Sequence, residues 1–272
     1  MNALLHECRE KCPSLWHVFR AMKAFWPLWV AVAILISGPA FVPYPPDHVN
    51  LDAVLEPPSM SHWLGSDWLG RDWASRLLWG GRFSYGMSLA ATGLSACIGI
   101  SLGVWAGVRG GRADAAVRFV TDFSLSFPVL FLLLLFADRF AENPWNLVPF
   151  MGFLYWIQIA RVTRAEVQSI MAMELIRATR ALGAGSWHLW SWHVLPRLWP
   201  TMRSLLALTM ANILLTEAAI NYLGLGIQPP QPSWGRMIAE SQPYVKEAPW
   251  LFAAPSVALL LSILSLYRVT KL

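Results

Sequence analysis

Charge is scarce in this chain. Asp, Glu, Lys and Arg make up 14% of its 272 residues, where a soluble domain carries about 25%. Cysteine is scarcer still, with 3 residues, too few for a disulfide framework. Cys97 lies in an apolar run. Cys8 and Cys12 lie near His6 and His17, but Cys-x3-Cys is not a usual zinc spacing, and no metal ligand is assigned. No Gly-x4-Gly-Lys-Ser/Thr phosphate loop occurs, and neither His-Glu-x-x-His nor Gly-x-Ser-x-Gly is present. The chain is therefore expected to bind no ATP by that device, to hold no cofactor and to contain no catalytic residue. It also lacks internal repeats and low-complexity tracts.

What is abundant is apolar side chain, 56% of the total, gathered into long runs. A run of about 20 apolar residues crosses the hydrocarbon layer as a helix, and in lipid only a helix satisfies its own backbone groups within one segment. The expected fold class is an all-α, polytopic membrane protein with six transmembrane helices, near 24–42, 84–107, 116–136, 146–163, 201–222 and 250–267. Nothing before Pro43 resembles a small-residue cleavage site, so the first run is read as a retained span, with 1–23 as a cytoplasmic tail and 24–272 as the transmembrane domain. With the N-terminus inside, Arg71, Arg76, Arg82, Arg139, Arg236 and Lys246 fall outside, and the remainder of the 21 Lys and Arg fall inside. That bias predicts both termini to be cytoplasmic. It also accounts for the net charge of +5 without any nucleic acid.

Between the runs lie two long outer loops. The first, 43–83, opens with Pro43, Pro45, Pro46, Pro57 and Pro58 and should be extended there. Its second half, His62 to Arg82, mixes Trp63, Trp68, Trp73 and Trp79 with charges and reads as an amphipathic helix on the outer surface. The second outer loop is 223–249. Residues 108–115 form a short basic inner turn.

The inner loop, 164–200, carries the most specific pattern. Residues 165–182 are expected to leave the bilayer as a helix, and Ala172, Ala178, Ala181 and, just past it, Ala184 present little bulk to a partner's backbone. Gly183 or Gly185 can take the left-handed conformation that ends a helix, and Ser186 suits the next N-cap. Trp187, Trp190 and Val194 follow at helical spacing, and Pro196 is expected to stop that turn before the fifth span. Two short helices at an angle, tethered at both ends, would transmit a push from the cytoplasm.

Residues 172–196 resemble the loop of permease subunits in ATP-binding-cassette (ABC) importers that work with a solute-binding protein. That pattern is Glu-Ala-Ala, three residues, Gly, nine residues, Ile-x-Leu-Pro. Here Gly183 matches the glycine, Leu195-Pro196 the closing pair, and His193 replaces isoleucine, as in the peptide and nickel branch. Arg177-Ala178-Thr179 stands at the Glu-Ala-Ala position, so the acidic residue is missing. His62-Trp-Leu-Gly-Ser-Asp-Trp-Leu-Gly-Arg-Asp72 and Glu217-Ala-Ala-Ile-Asn-Tyr-Leu-Gly-Leu-Gly226 resemble stretches of the second permease subunit of that branch. The resemblance covers roughly residues 20–265. It implies the type I importer permease (MetI-like) fold in a bacterial inner membrane, with import of a peptide, nickel or metal-chelate solute. It also implies a homologous second permease, two ABC ATPase subunits and an extracytoplasmic solute-binding protein as partners. Arg177, Ala178, Gly183, Ala184, His193, Leu195 and Pro196 are then the coupling loop. The outer charges Asp67, Arg71, Asp72, Arg76, Glu240, Lys246 and Glu247 would receive the binding protein, the alternative being solvated loop.

An ionisable group inside a span is costly and faces a cavity or a partner. Glu217, near the outer end of the fifth span, is a gate candidate or is bonded to a neighbouring helix. Asn221 and Gln158 are weaker pathway candidates. A self-sufficient channel or secondary transporter would need broken or charged helices at mid-depth and inverted repeats, and neither is visible. An inactive accessory permease of the same fold stays open.

Overall fold

The computed structural model describes residues 42–126, 132, 135, 143–183 and 185–270. The expected first span, the N-terminal tail with Cys8 and Cys12, the middle of the expected third span and Ala184 lie outside these residues. The described chain is helical: α1 Trp73–Arg109, α2 Gly111–Leu125, α3 Leu147–Ala172, α4 Glu174–Ala181, α5 Ser186–Leu189, α6 Leu195–Tyr222, α7 Trp234–Ser241 and α8 Pro249–Thr270. Among the described residues, three stretches are long and apolar enough to cross a membrane: Trp73–Arg109, Trp187–Tyr222 and Pro249–Thr270.

The largest helix contact is α1 against α3. Gly99, Gly103 and Gly107 recur every fourth residue and so share one face of α1. A Cβ built on Gly99 would stand 2.7 Å from the Trp156 carbonyl oxygen, and one on Gly103 would stand 2.7 Å from that of Ala160. Hydrogen alone fits there, which lets the two backbones approach as small residues do between membrane helices. Ser95 adds a hydrogen bond from its Oγ to the Gly152 carbonyl (3.0 Å). α6 packs between α1 and α8, with Met210, Leu214 and Ala218 set against Tyr85, Leu259 and Leu266.

Three local expectations are corrected. First, α1 begins at Trp73, so Trp73 and Trp79 belong to the long helix and no separate surface helix covers 62–82. Asp72 sets that start, its carboxylate accepting from the Ser75 backbone N–H at 2.8 Å and from Ser75 Oγ at 2.7 Å. Residues 62–72 are tight turns. Second, no single helix runs over 165–182. α3 continues to Ala172, Met173 is extended (φ −62°, ψ 140°), and α4 starts afresh at Glu174. Ile176 causes the turn by burying itself among Val167, Ile170, Leu189 and Val194. Third, Pro196 does not stop a helix but lies in the first turn of α6, where a proline costs little. Having no N–H for the Trp192 carbonyl, it follows a wider π turn, Trp190–Val194, which joins α5 to α6.

Candidate functional site: the inner elbow and the outer clasp

At the inner end, α4 and α5 form an elbow pinned on one side and bare on the other. Ile176, Leu189 and Val194 are buried against the ends of α3 and α6. Facing away, Leu182 is 89% exposed and Trp187 is 83% exposed. Gly183 sits at the bend with φ +86°, and a Cβ there would meet no atom within 4 Å among the described residues beyond its chain neighbours. The left-handed glycine expected from the pattern is thus Gly183 and not Gly185. Arg177 and Ala178 are exposed on α4. Leu195, Pro196 and Arg197 are exposed at the start of α6, and His193 is half-buried, its carbonyl accepting from Arg197 Nη1 at 3.2 Å.

Behind the elbow, Asp114 ties the short inner turn to α3. It accepts from Arg164 and from Gln168 Nε2 (2.6 Å), and pairs with Arg118 at 2.9 Å. The hydrogen bond from Arg164 holds the Asp114 carboxyl below its ordinary range. Asp122 pairs with Arg161 only at 4.0 Å, between exposed groups.

Glu217 and Asn221 come together, one turn apart in α6, and both are buried. Ser84 Oγ of α1 donates to Glu217 Oε1 (3.1 Å), and Asn221 Nδ2 donates to the same oxygen (2.7 Å). Glu217 Oε2 has no hydrogen-bond partner among the described residues. Asn221 Oδ1 accepts from the Ile227 backbone N–H at 2.7 Å, folding the chain after α6 back on itself. Gln158 is not part of this group; it is exposed on α3.

Four of the outer charges are withdrawn from solvent into the fold. Asp67, Arg71, Asp72 and Arg76 are all buried. Arg71 Nε donates to Asp67 Oδ2 (2.7 Å), and Arg76 Nη2 donates to Glu240 Oε2 (3.2 Å). Arg236 Nε reaches the other oxygen of Glu240 at 2.8 Å, and Arg71 Nη2 approaches Oε2 at 3.6 Å. His62 Nδ1 lies 2.9 Å from Asp72 Oδ1. The two outer loops are therefore clasped together by ions, with Glu240 facing three arginines. Only Lys246 and Glu247, among the charges expected to receive a partner, are exposed. Arg236 and His62 were not singled out by sequence reasoning. The i,i+4 spacings Asp67/Arg71 and Arg236/Glu240 were the available signal.

The family described as "Binding-protein-dependent transport system inner membrane component" matches residues 99–272. This chain belongs to that family. It is a membrane transport subunit, a permease of an ABC importer, and not an enzyme. A Brucella ovis protein that carries the provisional name of peptide permease protein is 34% identical over 242 residues, covering 88% of this chain and 79% of the relative. The oligopeptide transport system permease protein OppC of Bacillus subtilis is 32% identical over 255 residues, 91% of this chain and 84% of the relative. The nickel transport system permease protein NikC of Escherichia coli K12 is 31% identical over 232 residues, 85% of this chain and 84% of the relative. The permease's matched region contains the elbow, Glu217, Asn221 and the Glu240 side of the clasp.

Proposed function

We propose that this permease moves a peptide, nickel or a metal chelate across the bacterial inner membrane. It works beside a homologous second permease, is fed by an extracytoplasmic solute-binding protein, and is driven by two ATPase subunits that grip the elbow. The relatives named for oligopeptide and nickel transport support the solute classes. Six spans with both termini cytoplasmic complete the arrangement, and the positive-inside bias supports that orientation.

The observation that carries the reading is the bare apolar side of the elbow. Leu182 and Trp187 flank Gly183 and nothing in the described chain covers them, while the opposite side is locked into the inner core through Ile176, Leu189 and Val194. A load applied at the bend reaches α3 and α6 without being absorbed by a loose joint. Arg177, Ala178, Gly183, Ala184, His193, Leu195 and Pro196 form this coupling element. Glu217 and Asn221 line or brace the outer part of the pathway, and Gln158, exposed on α3, is a further pathway position.

The test is uptake into liposomes holding the purified four-subunit complex, with ATP on the cytoplasmic side and the binding protein outside. Labelled dipeptide, oligopeptide, nickel and nickel–histidine are offered separately. ATP-dependent uptake of one of them is expected. Uptake by this chain in the absence of any ATPase subunit would instead establish a self-sufficient channel or carrier.

A further inference from the structure

The ionic clasp does not end at the outer loops. Arg236, which donates to Glu240 Oε1, also donates through Nη1 to the Ile227 carbonyl at 2.8 Å. The N–H of the same Ile227 donates to Asn221 Oδ1, and Asn221 Nδ2 donates to Glu217. On its other side Glu240 holds Arg76, whose Nη1 reaches the Pro46 carbonyl at 3.4 Å. An unbroken series of polar contacts thus runs from the start of the first outer loop, through Arg76, Glu240, Arg236, Ile227 and Asn221, to a carboxyl inside the fifth membrane helix.

The joints of this series resist separation. Pulling Arg76 from Glu240 would leave a buried guanidinium with only longer contacts to Asp67 (3.8 Å), Asp47 (3.9 Å) and the Pro46 carbonyl (3.4 Å), and pulling Asn221 from Ile227 would leave a buried amide oxygen without its donor. A buried ion or polar group left without its partner costs far more than an exposed pair contributes. Sliding one segment past another is therefore expensive, while moving all of them together breaks nothing. Apolar seams run alongside: Trp73 Nε1 donates to the Leu251 carbonyl (3.0 Å), and Trp234 Nε1 donates to the Leu77 carbonyl (2.9 Å).

We infer that Glu240 and Asn221 are positioning residues that weld the first outer loop to the outer end of α6, so that a load placed on that loop from outside is delivered to the Glu217 region of the fifth span. The inference rests on the transport reading, because it supplies the route by which a docked binding protein would act on the pathway. The loop carries exposed apolar residues on which such a load can fall, including Met60 at 97% exposure.

The test measures one distance by pulsed electron spin resonance. Spin labels replace Met60 in the loop and Leu223 at the outer end of α6, both exposed, in a background with Cys8, Cys12 and Cys97 changed to serine. The whole complex is measured nucleotide-free and trapped with ATP and vanadate. The expected result is a narrow distribution that stays in place between the two states, and that broadens when either Glu240→Gln or Asn221→Ala is introduced. Two variants cutting different joints keep the test usable should one of them fail to insert. A shift greater than about one helical turn, ~5.4 Å, between the two states of the unmutated complex would overturn the inference. So would distributions in both variants as narrow as without them. The transport reading fails by a different signal, the absence of ATP-dependent uptake.

Discussion

Gly183 separates two physical roles that the elbow combines. At φ +86° its backbone lies where a side chain clashes with its own peptide, a cost of about 1–2 kcal/mol for most residues. Among the described residues no atom beyond its chain neighbours stands within 4 Å of a Cβ built there, so their packing adds nothing to that cost. Gly183→Ala should therefore weaken the bend alone, lowering its local population by roughly 5–30-fold, and should leave the fold intact, because Ile176, Leu189 and Val194 still pin the elbow. Asparagine tolerates left-handed backbone better than alanine but is bulkier. If backbone strain is the whole story, Gly183→Asn transports better than Gly183→Ala. If a partner's backbone closes on the bend, as the exposed elbow implies, the order reverses. The expected ranking of ATP-driven uptake is glycine, then alanine, then asparagine, with Gly183→Val inactive and binding-protein affinity unchanged throughout. Uptake by Gly183→Val equal to that of the unmutated chain, at normal insertion, would refute the coupling assignment.

Other perturbations follow from the packing and the ions. Gly103→Val forces a branched side chain into the Ala160 carbonyl, 2.7 Å from where its Cβ would sit; overpacking of this kind costs about 1–3 kcal/mol or more, to be read as a lower melting temperature in detergent. Asp67→Asn removes the carboxylate that Arg71 holds at 2.7 Å and Arg76 approaches at 3.8 Å, both buried. It should destabilise by about 3 kcal/mol or more, whereas Glu247→Gln, on an exposed side chain, should lie within about 0.5 kcal/mol of the parent. Asp114, held low by Arg164, contributes stability that is fully present above the ordinary carboxylate range and is lost as pH falls through its lowered value. The inner turn should therefore keep its protection from hydrogen exchange at pH 5 and lose it only in stronger acid, and Asp114→Asn should remove that acid step.

How much of this was visible in the sequence depends on how far apart the partners lie. The apolar runs that became α6 and α8 declare themselves by composition. So does the glycine bend, because a left-handed residue after a helix is a local requirement. The beginning of α1 does not. Residues 73–83 carry Trp73, Arg76, Trp79 and Arg82, a mixture that reads as a surface facing headgroups and water. Trp79 and Arg82 are indeed exposed, but Trp73 and Arg76 are interior, because Trp73 finds a carbonyl 178 residues away and Arg76 finds a carboxylate 164 residues away. The break at Met173 is equally silent, since Ala172, Met173 and Glu174 are all good helix formers, and only the burial of Ile176 against α5 and the π turn bends the chain there. Pro196 misleads in the opposite direction: a stop signal inside a helix is harmless in its first turn, and a wider turn upstream absorbs what remains of the cost. The same long-range pairing explains why the outer charges were taken for a docking rim. Charge on a loop is normally solvated, and burying four such groups is tolerable only because each meets a partner: Asp67 and Arg71 hold each other, Asp72 meets His62 and Ser75, and Arg76 meets Glu240 from far along the chain. That condition ties these four charges to the fold rather than to a partner, and it leaves the exposed residues around them, Lys246 and Glu247 included, as the surface a partner has to meet.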